Sequence, residues 1–324
     1  MTSSDFAAAT LPWVDRDSFA DDLGARRASG AVGEEDAATL ESWRETGYHL
    51  PRGAVDHQLI DRLLSEYEEA WRTRPACDVL VEDAGIQPFA EVRPRDELTH
   101  HHYRVMDFQD VSEAARQIML HPAVVLFLRL VFDETPVAMQ SLLFEYGSEQ
   151  NAHQDFPYVQ AQTLAHLVGC WVACEDVHPD SGPLFYYPGS HKIAKFDWGD
   201  GSLRWDGKSH DRVAEFETYV AGACEAAGLK RRLMLAGKGD VIFWHAALVH
   251  GGSPAADRGR TRKSLVSHYS TVSGYPRDRR SPDRVPPRIE KNGGVLYLRQ
   301  GPPGPLARLR SLLGRVRRKI FPAG

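Results

Sequence analysis

Three residues in the second half of the chain have the types and spacing of metal ligands. His153 and Asp155 are two residues apart, so on an extended segment both side chains point to the same side and can reach one ion. His250 ends an apolar run and precedes two glycines, where the chain leaves a predicted strand. Two imidazoles and one carboxylate form a facial triad that leaves positions open on Fe(II). The sequence therefore predicts an iron site with His153, Asp155 and His250 as metal-binding and catalytic residues.

A fourth residue, Arg262, begins the next predicted strand after His250. A buried guanidinium there offers a two-pronged set of donors to a carboxylate. An isolated His-x-Asp pair, or a lone His after a strand, occurs by chance in many chains. It is much rarer for chance to bring together all three features, namely the His-x-Asp pair, the distal His-Gly and the arginine that follows it.

The elements that must position these residues change in character near residue 136. Before it, apolar residues recur at helical spacing in 34–46, 55–71 and two short segments within 112–132. After it, short runs rich in β-branched and aromatic residues are bounded by turn residues, at 137–146, 164–174, 183–187, 240–250 and 264–272. One helix near 209–228 interrupts these runs. The pattern predicts helices followed by a mainly β core, an antiparallel sandwich or barrel.

The predicted organisation has three parts. Residues 1–33 are rich in Ala, Asp and Ser and are expected to form a loose arm, and 34–275 a single domain. Within the domain the helical part runs to about 132, the β core starts at about 136, and 193–238 is the expected substrate loop. Residues 276–324 are rich in Arg and Lys, which indicates either a solvated tail or a tail that contacts a partner or an anionic surface.

Composition limits the functional classes. A chain of 324 residues with 42% hydrophobic content can bury a sizeable core. The net charge of -5 gives no general indication of nucleic-acid binding. Four cysteines do not make a disulfide framework in a chain of this length, and buried thiols fit a reducing cytoplasm. Neither a signal peptide nor an apolar run of about 18 residues is evident, so we expect a cytoplasmic protein without a membrane span.

Six stretches of the sequence carry a resemblance to a known family. They are GYHLPRGAVD (47–56), RVMDFQD (104–110), MQSLLFEYGSEQNAHQDFPY (139–158), GCWVACEDVHPDSGPLFYYPGSHK (169–192), GDVIFWHAALVHGGSP (239–254) and RKSLVSHYS (262–270). In this order they resemble the phytanoyl-CoA dioxygenase family of Fe(II)/2-oxoglutarate oxygenases, over roughly residues 36–275. The PGSH element and the W-x-A-x-E-D strand are strong marks of that family.

The resemblance implies a double-stranded β-helix core, of jelly-roll or cupin type, with Fe(II), 2-oxoglutarate and O2 as cofactor and cosubstrates. His153, Asp155 and His250 match the family's metal ligands. Arg262 matches the residue that pairs with the distal carboxylate of 2-oxoglutarate. Oxidation of the substrate would then release succinate and CO2.

Three further residues match cosubstrate-binding positions of the family. Trp171 corresponds to a residue that lines the 2-oxoglutarate pocket, Gln140 lies at a strand position facing that pocket, and Arg104 stands where the family can have a basic contact. The family often has Ser two residues after the distal His, whereas this chain has Gly252 there and Ser253 next.

The predicted reaction is hydroxylation, or another oxidation, of an unactivated C–H bond in a small molecule. Halogenating relatives lack the carboxylate of the triad, so Asp155 disfavours halogenation. Aromatic residues beside charged ones in 193–238 favour a small polar metabolite, which fits specialised biosynthesis. Three alternatives stay open: an acyl-CoA hydroxylase of the same family using the basic run Lys230–Arg231–Arg232, a cupin-like metal-dependent isomerase or lyase without 2-oxoglutarate, and a non-catalytic binding protein.

Overall fold

Two β-sheets face each other in the computed structural model, which describes residues 5–73, 80–83, 91–92, 103–159, 161–278 and 287–298. The larger sheet has the order β1 (Tyr48–His49), β9 (Val241–His245), β6 (Val168–Ala173), β11 (Ser264–Thr271), β5 (Pro136–Phe144), β4 (Tyr103–Met106), β2 (Leu80–Asp83) and β3 (Glu91–Val92). A hairpin of β12 (Arg288–Lys291) and β13 (Gly294–Tyr297) joins it alongside β5. The smaller sheet has the order β10 (His250–Gly252), β7 (Leu184–Tyr186) and β8 (Arg232–Leu233).

Six α-helices lie in the described residues: α1 (Phe19–Ala28), α2 (Glu34–Thr46), α3 (His57–Thr73), α4 (Glu113–Met119), α5 (Pro122–Phe132) and α6 (His210–Ala226). Local signals explain the break between α4 and α5. The Ser112 hydroxyl accepts a hydrogen bond from Ala115 N at the start of α4, and Pro122 occupies the first turn of α5, where its missing N–H costs nothing. Helices α2 to α6 therefore follow the predicted segments closely.

Side chains on the central strands alternate between the two faces of the larger sheet, and each face packs into its own hydrophobic core. One face of the larger sheet, including Leu143, Phe243 and Leu265, packs against the helices. The opposite face, including Phe144 and Trp171, packs against Leu184, Tyr186 and other residues of the smaller sheet and its flanks. Because both faces are covered, all nine residues of β5 are buried. This two-sheet arrangement with helices on the outside confirms the predicted jelly-roll core.

The N-terminal segment differs from the predicted loose arm. Trp13, Val14, Phe19 and Leu23 belong to the core on the helical side of the larger sheet. The Trp13 indole N–H donates to Leu130 O at 3.0 Å, and the Arg26 guanidinium lies 4.1 Å from its ring centroid. The abundance of small and acidic residues obscured these few apolar side chains, which are buried in the core on the helical side of the larger sheet.

The start of the basic tail also differs from the prediction. β13 pairs in parallel with β5, where Val295 lies opposite Val137, and the side chains of Val295, Leu296 and Tyr297 are buried. The run Gly294–Tyr297 is apolar, but it was not predicted as a strand because the residues around it are mostly Arg, Pro and Gly. Residues 279–286 and 299–324 lie outside the described residues, so contact of the tail with a partner stays a prediction.

Replacing Trp13 with alanine tests the docking of the N-terminal segment. We expect Trp13→Ala to lower the free energy of unfolding by about 3–5 kcal/mol, since a large buried aromatic side chain is lost. Urea denaturation gives the measurement. Leu126→Ala is the control, because the Leu126 side chain is 64% exposed and its loss should change stability by less than about 0.5 kcal/mol. Equal effects of the two substitutions would contradict the buried position of Trp13.

One stretch of the described residues, Glu113–Phe132, is long and apolar enough to cross a membrane, with a mean hydropathy of 1.4. More than half of it, 56%, is buried inside the protein. It is divided into α4 and α5 just before Pro122, and both helices contribute to the core. We therefore assign them as helices of the hydrophobic core.

Candidate metal centre

His153, Asp155 and His250 lie together between the two sheets. Backbone hydrogen bonds join the two histidines in both directions: His153 N donates to His250 O at 2.9 Å, and His250 N donates to His153 O at 3.0 Å. Asp155 Oδ1 lies 3.8 Å from His153 Nε2 and 3.7 Å from His250 Nε2. The three ligand atoms are all within 4.8 Å of one another, which is the spacing of groups that share one ion.

Backbone carbonyls fix the tautomers of both histidines. His153 Nδ1 lies 2.8 Å from Asn151 O, and His250 Nδ1 lies 2.9 Å from Leu248 O. A carbonyl oxygen can only accept, so each Nδ1 carries the hydrogen. The lone pair is then on Nε2 of each ring, the atom that faces the shared site, as is usual for metal-binding histidines.

The protonation states also suit a divalent cation. Burial, followed by the charge of His250, lowers the pKa of His153 to about 4. Burial by itself would raise the pKa of Asp155, but the nearby His250 and His268 outweigh it and hold that pKa well below its usual range. At neutral pH His153 is therefore a neutral imidazole and Asp155 an ionised carboxylate, as a two-histidine, one-carboxylate Fe(II) site requires of them.

The second carboxylate oxygen of Asp155 faces the larger sheet. Trp244 Nε1 donates to Oδ2 at 2.6 Å, and His268 Nε2 lies 3.3 Å from the same atom. Gln140, expected to face the cosubstrate pocket, lies with its Nε2 3.0 Å from His268 Nδ1. The structure thus brings Gln140 to the metal centre through His268. Neither Trp244 nor His268 was among the predicted site residues, although both lie on predicted strands.

Arg262 is a buried cation. It is 2% exposed, and its guanidinium carbon lies 5.8 Å from the ring centroid of Trp171 and 5.7 Å from that of Phe144. Burial lowers its pKa to about 10, so it stays charged at neutral pH. Within the described residues its Nε has no hydrogen-bond partner, and no carboxylate lies within salt-bridge distance. The charge of Glu175 opposes the effect of burial on Arg262 but forms no salt bridge with it. A buried charge without a direct partner is unfavourable, so this position suits an anionic group from a bound molecule.

Two other buried donors share the inner face with Arg262. Ser264 follows it by two residues on β11, the period that keeps side chains on one face. In the described part of the chain, Ser264 Oγ and Trp171 Nε1 both lack hydrogen-bond partners. Three unpartnered donors beside aromatic walls fit the distal carboxylate of 2-oxoglutarate. The Arg-x-Ser spacing was the signal in the sequence that could have identified Ser264.

The close packing around β10 explains why glycine stands where the family often has serine. A Cβ on Gly252 would lie 2.5 Å from Ser148 Oγ and 2.7 Å from Glu149 N, closer than real Cβ atoms come. The next residue, Ser253, accepts a hydrogen bond from Arg231 at 2.7 Å. The hydroxyl of Ser253, just after β10, is therefore bound to Arg231.

Arg104 lies on the same face as the centre. It is paired with Phe144 across β4 and β5, so the two side chains point to the same side of the sheet. Burial is the largest cause of the lowered His153 pKa, and the charge of Arg104 adds to it. The structure thus brings Arg104 near the three candidate metal ligands.

The predicted substrate loop carries an aromatic cluster that reaches the centre through Tyr158. The Tyr158 ring centroid lies 6.5 Å from that of His153. On its other side it lies 5.8 Å from Trp198, 5.5 Å from Trp205 and 5.9 Å from Phe216. These aromatic side chains form one wall next to the candidate metal ligand His153.

Several charged residues of the loop are engaged in its own structure. Asp197 accepts from the backbone N–H groups of Gly199 and Gly201, and Asp206 accepts from those of Lys208 and Ser209. Arg204 donates to two backbone carbonyls of the segment 161–162. These groups stabilise turns and the loop's attachment, so they are weaker support for a polar substrate than the sequence indicated.

Comparison with known proteins establishes the family. Residues 43–262 match the family described as "Phytanoyl-CoA dioxygenase (PhyH)". The chain belongs to this family. It is 24% identical to the human peroxisomal phytanoyl-CoA dioxygenase over 257 residues, which covers 74% of this chain and 70% of the relative.

Solved structures share the fold of this phytanoyl-CoA dioxygenase family member at low identity. The epimerase SnoN, in complex with Fe3+, alpha ketoglutarate and nogalamycin RO, is 19% identical with a TM-score of 0.52, covering 74% of this chain and 84% of SnoN. EctD from S. alaskensis, with 2-oxoglutarate and 5-hydroxyectoine, is 14% identical with a TM-score of 0.52, covering 82% and 88%.

Membership of the phytanoyl-CoA dioxygenase family confirms the predicted enzyme class. The protein is an oxidoreductase, a dioxygenase that depends on Fe(II), 2-oxoglutarate and O2, and its His-Asp-His group suits that iron. The alternatives of a non-catalytic binding protein and of an isomerase or lyase without 2-oxoglutarate are therefore wrong.

Proposed function

We propose that His153, Asp155 and His250 bind the Fe(II), and that Arg262 with Trp171 and Ser264 binds the distal carboxylate of 2-oxoglutarate. The enzyme then oxidises a C–H bond of a small polar metabolite. One observation carries the proposal: three ligand atoms within 4.8 Å of one another share the inner face with a buried arginine that lacks a carboxylate partner in the described residues.

Each side chain of the proposed site has its own role in the reaction. When bound, iron and 2-oxoglutarate supply the activation of O2 that oxidises the substrate, with release of succinate and CO2. His153 and His250 present Nε2 because backbone carbonyls hold their Nδ1 hydrogens. Asp155 supplies the negative charge of the ligand set, and Arg262 orients the cosubstrate by its far end. The buried, aromatic surroundings exclude water, which strengthens both interactions.

The substrate would bind between the metal centre and the aromatic wall of Tyr158, Trp198 and Trp205. Aromatic faces suit rings and apolar portions, and the Trp198 indole N–H, buried and unpartnered in the described chain, suits a polar group. SnoN and EctD, whose structures contain nogalamycin RO and 5-hydroxyectoine, support a small metabolite and a biosynthetic role. A cytoplasmic location belongs to the same proposal.

A second candidate is an acyl-CoA hydroxylase, since the human relative is named phytanoyl-CoA dioxygenase. The exposed run of Lys230, Arg231 and Arg232 favours it, because CoA phosphates need cations. Arg231 is partly engaged, with its guanidinium 4.1 Å from the Phe185 ring and bonded to Ser253.

Spectroscopy without oxygen tests the proposed centre. Fe(II) and 2-oxoglutarate added anaerobically should give a weak visible metal-to-ligand absorption band, and air should then yield succinate. A panel of small metabolites and acyl-CoA thioesters, scored by substrate-stimulated succinate release, separates the two substrate classes. Absence of the band in a folded, metal-loaded protein would overturn the proposed 2-oxoglutarate site.

A further inference from the structure

We propose that Trp244 and His268 are positioning residues that hold the Asp155 carboxylate with Oδ1 toward the metal site and Oδ2 turned away from it. The inference rests on the proposed iron site. Trp244 Nε1 and His268 Nε2 lie 2.6 and 3.3 Å from Oδ2, whereas the two histidine Nε2 atoms lie nearest to Oδ1. The two oxygens thus have separate partners.

The sheet is built to admit the Trp244 indole. An added Cβ on Gly169 would lie 2.1 Å from Trp244 Cε2 and 2.3 Å from its Nε1, so only glycine fits opposite Trp244 on β6. The same indole packs on the His250 ring, with centroids 4.7 Å apart. Trp244 is 2% exposed, so the surrounding side chains hold its indole, and the N–H is directed at Asp155 Oδ2. Gly169 therefore lets one side chain touch two of the three candidate ligands.

The contact with Gln140 determines the tautomer of His268, that is, which ring nitrogen carries the hydrogen. The Gln140 amide nitrogen lies 3.0 Å from His268 Nδ1, and an amide nitrogen only donates, so Nδ1 is the acceptor. The ring hydrogen is then on Nε2, which points at Asp155 Oδ2. The opposite amide orientation would place a lone pair against the carboxylate. Gln140, His268 and Asp155 form a chain of hydrogen bonds with one consistent direction.

The consequence concerns the number of positions open on the metal. A carboxylate that binds through one oxygen leaves three positions beside two histidines, whereas one that binds through both leaves two. Rotation of Asp155 to use both oxygens would break its bonds to Trp244 and His268, which are buried and charge-assisted. The pair thus preserves room for cosubstrate and O2 together.

Metal affinity of the full-length apo protein tests the pair, with Mn(II) as the probe and the free-ion EPR signal as the measurement. We expect Trp244→Phe and His268→Leu each to weaken Mn(II) binding about 10- to 100-fold, the usual effect of losing an outer partner of a metal ligand. His268→Gln keeps an N–H donor and should restore most of the affinity. Crystals of the Mn(II)-loaded proteins should show Asp155 bound through one oxygen in the wild type and through both in the double variant Trp244→Phe/His268→Leu.

Trp43→Phe is the matched control, because Trp43 is a fully buried tryptophan of the helical core. Urea unfolding of the apo proteins measures any general loss of packing. The proposal is overturned if Trp244→Phe and His268→Leu bind Mn(II) as the control does, or if His268→Gln is no better than His268→Leu. If wild-type protein fails to bind Mn(II), or Asp155→Ala binds it normally, the proposed iron site fails and this inference with it.

Discussion

Asp155→Ala is expected to abolish metal binding and with it succinate release. The substitution removes the single carboxylate of the candidate ligand set and leaves two imidazoles. It also leaves Trp244 Nε1 without its acceptor in a buried site. Since loss of an outer partner alone costs 10- to 100-fold in affinity, loss of the ligand itself should weaken Fe(II) binding by more than about 100-fold.

The anaerobic Fe(II)/2-oxoglutarate band and Mn(II) titration both report this loss. Asp240→Asn is the matched control, because Asp240 is a buried carboxylate next to β9 whose partners are Arg52 and backbone N–H groups outside the centre. The control should retain the band. A full-intensity band in Asp155→Ala would remove Asp155 from the ligand set.

Arg262→Ala is expected to raise the 2-oxoglutarate requirement strongly while leaving metal affinity unchanged. Truncating one partner of a buried charge pair costs about 2–5 kcal/mol, and 1.4 kcal/mol is tenfold, so KM for 2-oxoglutarate should rise at least about 30-fold. Ser264→Ala removes one neutral donor and should cost about 1 kcal/mol, roughly fivefold. The two effects should rank in that order if both side chains bind the same carboxylate.

Succinate release measured across 2-oxoglutarate concentrations gives both values, and Mn(II) titration shows whether the metal site is intact. Arg231→Ala is the control arginine: it also lies against an aromatic ring, but it is bonded to Ser253 and exposed. Its KM for 2-oxoglutarate should not change. An unchanged KM in Arg262→Ala would place the cosubstrate carboxylate elsewhere.

Most of the fold could be predicted because its signals are local. Helical periodicity in 55–71 and short apolar runs bounded by turn residues, such as 264–272, led to α3 and β11. The predictions differ from the structure where few residues carry the signal. Trp13 in an Ala- and Asp-rich segment, and Gly294–Tyr297 in an Arg- and Pro-rich one, are buried only because partners distant in sequence cover them.

The sequence by itself determined the candidate ligand types, since the side chains of His-x-Asp on an extended segment share one side through the two-residue period of a strand. The sequence also led to the hypothesis of a buried arginine. Only the tertiary structure decided what surrounds them. Trp244 and His268 are 89 and 113 residues from Asp155, and strand order in the larger sheet brings them to its second oxygen. The role of Arg204 in the loop was likewise decided by the fold, because it donates to backbone carbonyls of 161–162, which are distant in sequence and meet it only in the folded chain.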